Sequence, residues 1–129
     1  MASIFTRIVL GEIPCHKIME SDLFLAFLDI TPVAQGHTLV IPKREVDHFF
    51  DMNDEELAQF NLFARDVAHK IQRAIPCRRI GSFVIGLEVP HAHMHLIPLN
   101  TLADTDFRGQ RFKFTQEELA AIAEKIRQA

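Results

Sequence analysis

Three histidines alternate with apolar residues in the run from His91 to Pro98, which reads His-Ala-His-Met-His-Leu-Ile-Pro. Alternation with a period of two predicts a half-buried β-strand, because successive side chains of a strand point to opposite faces of its sheet. We therefore predict a strand over 91–97, with the histidines on one face and the intervening apolar side chains against a core. A chain with this strand must fold so that one sheet face is buried and the other carries a site.

The remaining sequence divides into apolar strands and amphipathic helices. Apolar runs that end at a turn signal or a proline predict strands over 15–19, 23–30, 37–42 and 80–85. Helical spacing predicts a short N-terminal helix capped by Ser3, a helix of roughly 20 residues from Asn53 to Pro76, and a C-terminal helix from Thr115. Asn53 and Thr115 each open a capping box, with Glu three residues later. Strands that occur in runs around one long helix predict an α+β fold with a mainly antiparallel sheet.

Composition and charge exclude several classes of protein. The 129 residues contain no linker or repeat, so we expect a single domain over 1–129. The net charge of −3 argues against nucleic-acid binding, and no apolar run approaches the roughly 18 residues of a membrane span. Cys15 and Cys77 lie far apart, and no signal peptide opens the chain. We expect a cytoplasmic protein without disulfides.

The three histidines leave three alternatives open. They are solvated surface residues, ligands of a metal ion, or catalytic groups. Along a straight strand the backbones of His91 and His95 would lie about 13 Å apart, whereas zinc-binding nitrogens must converge to within about 3.5 Å. An adjacent pair, but hardly all three, could hold one ion. In catalysis one imidazole nitrogen attacks while a hydrogen bond fixes the other, and His93 is the histidine flanked on both sides.

The run 91–97 resembles the signature of the histidine-triad (HIT) superfamily. Segments 3–14, 25–32 and 36–43 are similar to that family's N-terminus and two central strands, in order and at near-family spacing. The resemblance implies a HIT-like fold, a homodimer, and a purine nucleotide-binding hydrolase that acts at the α-phosphate of a nucleoside phosphoramidate or related conjugate. The alternative on the same fold is a nucleotide-binding or regulatory module with little or no catalysis.

The resemblance also implies roles for individual residues. His93 would be the nucleophile that forms a nucleotidyl-histidine intermediate, with His91, His95 and His37 around the phosphate. Asp29 would bind the ribose hydroxyls, although a turn residue before a proline is its alternative role. Apolar residues would contact the nucleotide, with core packing as the alternative for those around the base: Ile4, Phe5, Ile8, Phe27, Ile30 and Val89.

Two departures from the family pattern lead to further expectations. Some members hold a structural zinc with two cysteines, a histidine and the first histidine of the triad. Here Ser3, Thr6 and Glu45 stand at the first three positions, so we expect no structural zinc, no other metal and no cofactor.

The second departure lies in the loop before the triad, which is shortened as in a bacterial-like branch of the family. Leu87 and Glu88 stand where catalytic members carry Gln and Ser or Thr. A carboxylate close to a phosphate is repulsive, so Glu88 is protonated or turned away, acts as an acid toward another leaving group, or is an exposed loop residue. We expect residues 115–129 to shape the leaving-group side.

Overall fold

A computed structural model describes residues 2–129. Five strands in this part of the chain form the sheet on which the site is built. The strands are β1 (Lys17–Glu20), β2 (Phe24–Leu28), β3 (Thr38–Pro42), β4 (Arg79–Phe83) and β5 (Met94–Leu99). Their spatial order is β1-β2-β3-β5-β4, and every neighbouring pair is antiparallel. The predicted α+β class with an antiparallel sheet is confirmed.

In residues 2–129 three α-helices accompany the sheet: α1 (Ile4–Val9), α2 (Asp54–Ala74) and α3 (Gln116–Arg127). Two short 3-10 helices, which the sequence patterns did not predict, span Phe49–Asp51 and Leu102–Thr105. Within residues 2–129 no helix combines the length and the apolar composition that crossing a membrane requires.

The sheet separates two apolar layers. Phe24 and Ala26 of β2 pack with α2 and α3 on one face, whereas Leu25 and Phe27 pack with α1 on the other. All five residues of β2 are buried, as expected for a strand covered on both sides. Because α1 has only six residues, it covers part of its face and leaves room for a cavity beside it.

The capping predictions are correct at α3 and half correct at α2. At α3 the side chains of Thr115 and Glu118 form both reciprocal bonds of the capping box. At α2 Asn53 Oδ1 accepts a hydrogen bond from Glu56 N at 2.8 Å. The Glu56 carboxylate pairs instead with the Arg44 guanidinium at 2.7 Å. The competing ion pair therefore takes the bond that would have completed the box.

The histidine strand begins at Met94, three residues later than predicted. The N–H of Ala92 donates to the carbonyl of Val46 at 2.7 Å, so the segment 91–93 leaves the hydrogen-bond ladder. Of the three histidines, only His95 lies on the strand. The backbone separation expected for His91 and His95 on a straight strand does not apply, because residues 91–93 lie outside β5. The ring centroids of His93 and His95 lie 5.1 Å apart.

The predicted facing of the apolar residues is correct despite this shift. Ala92, Met94 and Leu96 all belong to the layer that α2 and α3 cover. His95 pairs with Leu39 of β3, a residue of the layer beside α1. The sheet therefore presents His95 to the face on which α1 leaves a cavity.

Candidate active site

A cavity of about 500 Å³ opens beside α1, at the ends of β2 and β5. Its volume lies in the range of small-molecule sites. One end is apolar and is formed by α1 and the segment that follows it, while the other end carries histidine and arginine side chains. Seven residues for which the family resemblance implies nucleotide contacts line it: Asp29, Ile30, Ile4, Phe5, Ile8, Phe27 and Val89.

His93 reaches this cavity with one ring nitrogen tied to the backbone. Its Nδ1 lies 2.7 Å from the carbonyl oxygen of His91. A carbonyl only accepts hydrogen bonds, so Nδ1 carries the proton and donates it. In the neutral ring the lone pair then resides on Nε2. The backbone turn that removes 91–93 from the ladder also creates this bond.

His91 is fully buried, and its ring makes two hydrogen bonds. Nε2 lies 2.8 Å from the carbonyl oxygen of Pro42, so Nε2 donates, and Nδ1 accepts from Ser3 Oγ at 2.8 Å. Burial lowers the pKa of His91 below its ordinary value, and the neutral ring satisfies both partners. Neither ring nitrogen has a free lone pair for a metal ion.

His37 and His95 are joined by a hydrogen bond that fixes the tautomers of both rings. The N–H of Val33 donates to His37 Nδ1 at 3.1 Å, so the neutral ring carries its proton on Nε2. That nitrogen lies 2.9 Å from His95 Nδ1, which must therefore accept. Burial lowers the pKa of His37 to about 4 and that of His95, with the nearby His37 as second cause, to about 3. Neutral His95 thus keeps its proton on Nε2.

The four predicted catalytic histidines divide into two that line the cavity and two that lie behind them. His93 and His95 line the cavity, whereas His37 and His91 are nearly or fully buried and do not belong to its lining. The expectation that all four surround a phosphate therefore differs from the geometry. His37 instead donates a hydrogen bond to His95, and the carbonyl of His91 accepts one from His93. The two buried histidines therefore contact the two rings that line the cavity.

Asp29 serves a turn and also lines the cavity. Its Oδ1 accepts hydrogen bonds from Thr31 N at 2.8 Å and from Thr31 Oγ1 at 3.2 Å. Its Oδ2 lies 3.6 Å from His37 Nε2. The side chain is 15% exposed. The turn role of Asp29 is therefore observed, and its role as an acceptor for ribose hydroxyls stays a prediction.

Among residues 2–129 one group of possible metal ligands converges, formed by Asp29, His37 and His95 within 4.8 Å of one another. Binding through His37 Nε2 requires a lone pair there. The proton would then have to move to Nδ1, which faces the N–H of Val33. Two donors would oppose each other, so this tautomer is disfavoured and the group does not suit a divalent ion.

The positions at which some HIT proteins hold zinc form a hydrogen-bonded cluster. Glu45 Oε1 accepts from Ser3 N at 2.7 Å and from Thr6 Oγ1 at 2.6 Å, and His91 Nδ1 lies between the two hydroxyls at 2.8 and 3.3 Å. Zinc prefers thiolate, imidazole and carboxylate ligands. Two hydroxyls do not supply that set, and every buried side-chain N or O atom in 2–129 already has a partner. These residues do not fit a zinc ion.

The segment between β4 and β5 forms one rim of the cavity. Residues 84–93 make no strand, so β4 ends two residues before the predicted strand does. Gly86 has φ +71, in the left-handed region that glycine adopts without strain. Leu87 is 87% exposed, and exposed Glu88 lines the cavity beside it.

The opposite rim is a segment for which the sequence patterns predicted neither a strand nor a helix. Phe107, Arg108 and Arg111 line the cavity, and we call residues 106–111 the C-terminal arm. The ring of Phe107 lies 5.0 Å from that of His95. The only sequence signal for a role of this segment in the site is one aromatic residue close to two arginines. The segment has neither helical nor strand periodicity, so the patterns used for the other elements do not apply to it. The expected region, α3, contributes no lining residue.

Comparison with known proteins gives a consistent result. A family model described as "HIT domain" matches residues 10–102. An uncharacterised HIT-like protein of Borreliella burgdorferi is 40% identical over 95% of this chain and 94% of its own. The adenosine 5′-monophosphoramidase of Schizosaccharomyces pombe is 33% identical over 98% of this chain and 96% of its own.

Solved structures also resemble the fold. The crystal structure of a HIT-like protein from Bartonella henselae, described as involved in cell-cycle regulation, superposes with a TM-score of 0.84. It is 30% identical, and the match covers 98% of this chain and 95% of that one.

Proposed function

This chain belongs to the HIT family, and on that premise we propose that it hydrolyses purine nucleotide conjugates at the α-phosphate, with nucleoside phosphoramidates as substrates. The free lone pair of His93 Nε2, directed by the bond from Nδ1 to a backbone carbonyl, is the observation that carries this proposal. The phosphoramidase activity of the S. pombe relative supports the substrate class.

The shape of the cavity supports a bound nucleotide. The base lies at the apolar end, where α1 and Phe27 form the walls. The ribose hydroxyls donate to the Asp29 carboxylate, which keeps acceptor capacity beyond its turn. The α-phosphate then lies at His93 and His95, the two histidines that line the cavity.

The first chemical step transfers the nucleotidyl group to His93. Its Nε2 lone pair attacks phosphorus, the Nε2–P bond forms, and the bond from phosphorus to the leaving nitrogen breaks. The leaving nitrogen keeps that electron pair and takes a proton from solvent. The Nδ1–H bond to the His91 carbonyl stabilises the positive charge that develops on the ring.

The second step releases the nucleoside monophosphate. A water oxygen attacks phosphorus, the Nε2–P bond breaks with its electron pair returning to Nε2, and a proton of that water passes to solvent. In both steps the Nε2–H of His95 donates to a non-bridging phosphate oxygen. Its orientation depends on His37, which holds Nδ1 of His95 as an acceptor. His37 and His91 are therefore positioning residues, and no metal or cofactor is needed.

The open edge of β4 supports association of two copies. β4 is an outer strand of the sheet, and the exposed Val84 and Ile85 follow it. An outer strand with unpaired backbone groups and apolar neighbours is suited to pair with a second copy. We assign the homodimer to this edge.

Cys15 and Cys77 are free thiols, which agrees with a reducing, cytoplasmic location.

Release of AMP from adenosine 5′-phosphoramidate tests the proposal. We expect turnover by the wild-type protein in the presence of a chelator and none by His93→Ala. Nucleotide affinity in the variant should remain within a few-fold of the wild type, because Nε2 reacts with phosphorus and supplies little of the binding. Full activity in His93→Ala would contradict covalent catalysis, and activity lost to the chelator would indicate a metal enzyme.

One observation favours a second candidate function, a nucleotide-binding module with little or no turnover. Leu87 and Glu88 line the same cavity as His93, at the positions where the family resemblance implies Gln and Ser or Thr. A carboxylate close to a phosphate is repulsive, and neither side chain supplies the groups of the residues it replaces. Nucleotide binding without turnover would select this alternative. Turnover that increases in Glu88→Ser would instead show that the carboxylate only slows catalysis.

A further inference from the structure

We propose that the C-terminal arm selects substrates whose leaving group is an anion, which Arg111 binds on the side of the histidines opposite the base. The inference rests on the proposed function and specifies its substrate class. Nothing in the pattern of the triad demands it, since the arm lies outside residues 10–102 that the family model matches.

A row of four rings fixes the direction from base to leaving group. The ring centroids of Phe5 and His93 lie 5.1 Å apart, those of His93 and His95 5.1 Å, and those of His95 and Phe107 5.0 Å. Phe5 belongs to α1 at the apolar end, and Phe107 belongs to the arm. For a nucleotide with its base at α1 and its phosphorus at His93, the arm therefore lies at the end of the row opposite the base, and the proposal places the leaving group there.

Arg111 is held at this end by neutral partners. Its Nη1 donates to the carbonyl of Thr31 at 2.8 Å, and its Nη2 donates to the carbonyl of Phe107 at 3.0 Å. Its guanidinium carbon lies 5.7 Å from the centre of the Phe107 ring. Two of its five N–H groups are thus used, and the charge is fixed in place without being neutralised.

The carboxylates nearby leave this cation available. No ion pair joins Arg111 to a carboxylate in the described chain, whereas Arg108 faces Asp106 at 3.7 Å with both side chains exposed. Glu88 and Asp29 line the same cavity, and an anionic ligand must keep its negative charge away from both carboxylates. The pKa of His95 is lowered chiefly by burial, and the positive charge of Arg111 adds the smallest contribution. A fixed, unpaired cation in a cavity is suited to bind an anion.

Two matched substrates test the inference. AMP joined through a P–N bond to propylamine has a neutral leaving group, and AMP joined to 2-aminoethylphosphonate has an anionic one. We expect the wild-type kcat/KM to favour the phosphonate by about tenfold, the effect of one charge-assisted hydrogen bond. In Arg111→Gln the ratio should fall to about one, and in Arg111→Lys it should be intermediate. Arg65→Gln, which removes an exposed arginine of α2, should keep the wild-type ratio.

Each other outcome has a definite meaning. A ratio near one in the wild type overturns the anionic leaving group and leaves the proposed hydrolase intact. An unchanged ratio in Arg111→Gln, with both substrates slowed equally, assigns Arg111 to the nucleotide and also overturns the inference.

If the protein turns over neither compound, the proposed function is contradicted. The affinities for ADP and AMP then test whether the arm binds an anion. The β-phosphate of ADP occupies the position of the leaving group. An Arg111-dependent preference of about tenfold for ADP would sustain the anion site, and equal affinities would overturn it.

Discussion

Individual side chains of the site owe their chemistry to backbone partners. The His91 carbonyl fixes the tautomer of His93, and the N–H of Val33 fixes that of His37 and thereby that of His95. A backbone group keeps its polarity at every pH, so these assignments do not depend on the titration of a neighbour. The reactive nitrogens are set before any ligand binds.

Asp29 provides the prediction at this scale. Asp29→Asn keeps the Oδ1 acceptor of the turn with Thr31 and removes the charge that would bind ribose. We expect AMP affinity to weaken by roughly 1–3 kcal/mol, the range of a charge-assisted hydrogen bond and its loss. Calorimetric titration with AMP and with 2′,3′-dideoxy-AMP measures the effect. The dideoxy compound should bind the variant and the wild type equally, and an equal loss for both nucleotides would contradict the ribose assignment.

Among the secondary-structure elements, α1 depends on the cluster that occupies the zinc positions. Ser3 caps α1 through the N–H of Thr6, and it also binds buried His91. Glu45, which follows β3, accepts from both Ser3 and Thr6. Hydrogen bonds from a backbone N–H and a hydroxyl hold the pKa of Glu45 below its ordinary value, so the carboxylate is ionised at neutral pH. The cluster joins α1, β3 and the triad, as a metal ion would.

Ser3→Ala tests this linkage. The variant loses an N-cap and leaves His91 Nδ1 without its closest partner, which should lower the free energy of unfolding by roughly 1–3 kcal/mol. Urea unfolding followed by circular dichroism measures it, since the chain has no Trp or Tyr. Gln72→Ala, a change at an exposed position of α2, should have little effect. A Ser3→Ala variant as stable as the wild type would show that the cluster does not hold α1.

The elements also show what sequence patterns can predict. Continuous apolar runs predicted β2 and β3, because burial on both faces leaves a clear record in composition. The start of β5 was three residues off, since alternation continues through His91–His93 while a tertiary bond from Ala92 to Val46 removes them from the ladder. The arm was missed as part of the site because Arg111 is positioned in part by the carbonyl of Thr31, which is 80 residues away in the chain, and no local pattern encodes such a partner.

For the whole molecule, the buried histidines make stability depend on pH. The pKa of His37 is about 4 and that of His95 about 3 in the folded protein, whereas an unfolded histidine has a pKa of about 6.5. Below pH 6.5 the unfolded chain therefore binds more protons than the folded one. The free energy of unfolding then decreases as pH falls, by about 1.4 kcal/mol per pH unit for each such ring.

Urea unfolding at pH 7 and pH 5 measures this dependence. We expect a decrease of roughly 2–4 kcal/mol between them from the two rings. His37→Gln should reduce the slope whatever its effect on stability at pH 7, while His69→Gln, which removes an exposed histidine of α2, should leave it unchanged. Equal stability at both pH values would contradict neutral, buried rings in the folded state.

The fold and family of the molecule could be predicted from sequence more completely than its site. The three-histidine run and the apolar and amphipathic segments around it are local patterns, and they predicted the strands, the helices and the family. The layering of the site is a tertiary property. Whether His37 contacts a ligand or stands behind His95 depends on the pairing of β3 with β5, which determines the depth of each ring.

The formation of a covalent intermediate on His93 is the most direct test of the mechanism. Wild-type protein is mixed with adenosine 5′-phosphoramidate, quenched in alkaline denaturant within a single turnover, and examined by mass spectrometry. We predict the mass of one adenylyl group, located on the peptide that contains His93 and absent from His93→Ala. Turnover without this adduct, or an adduct that persists in His93→Ala, would contradict nucleophilic catalysis by His93.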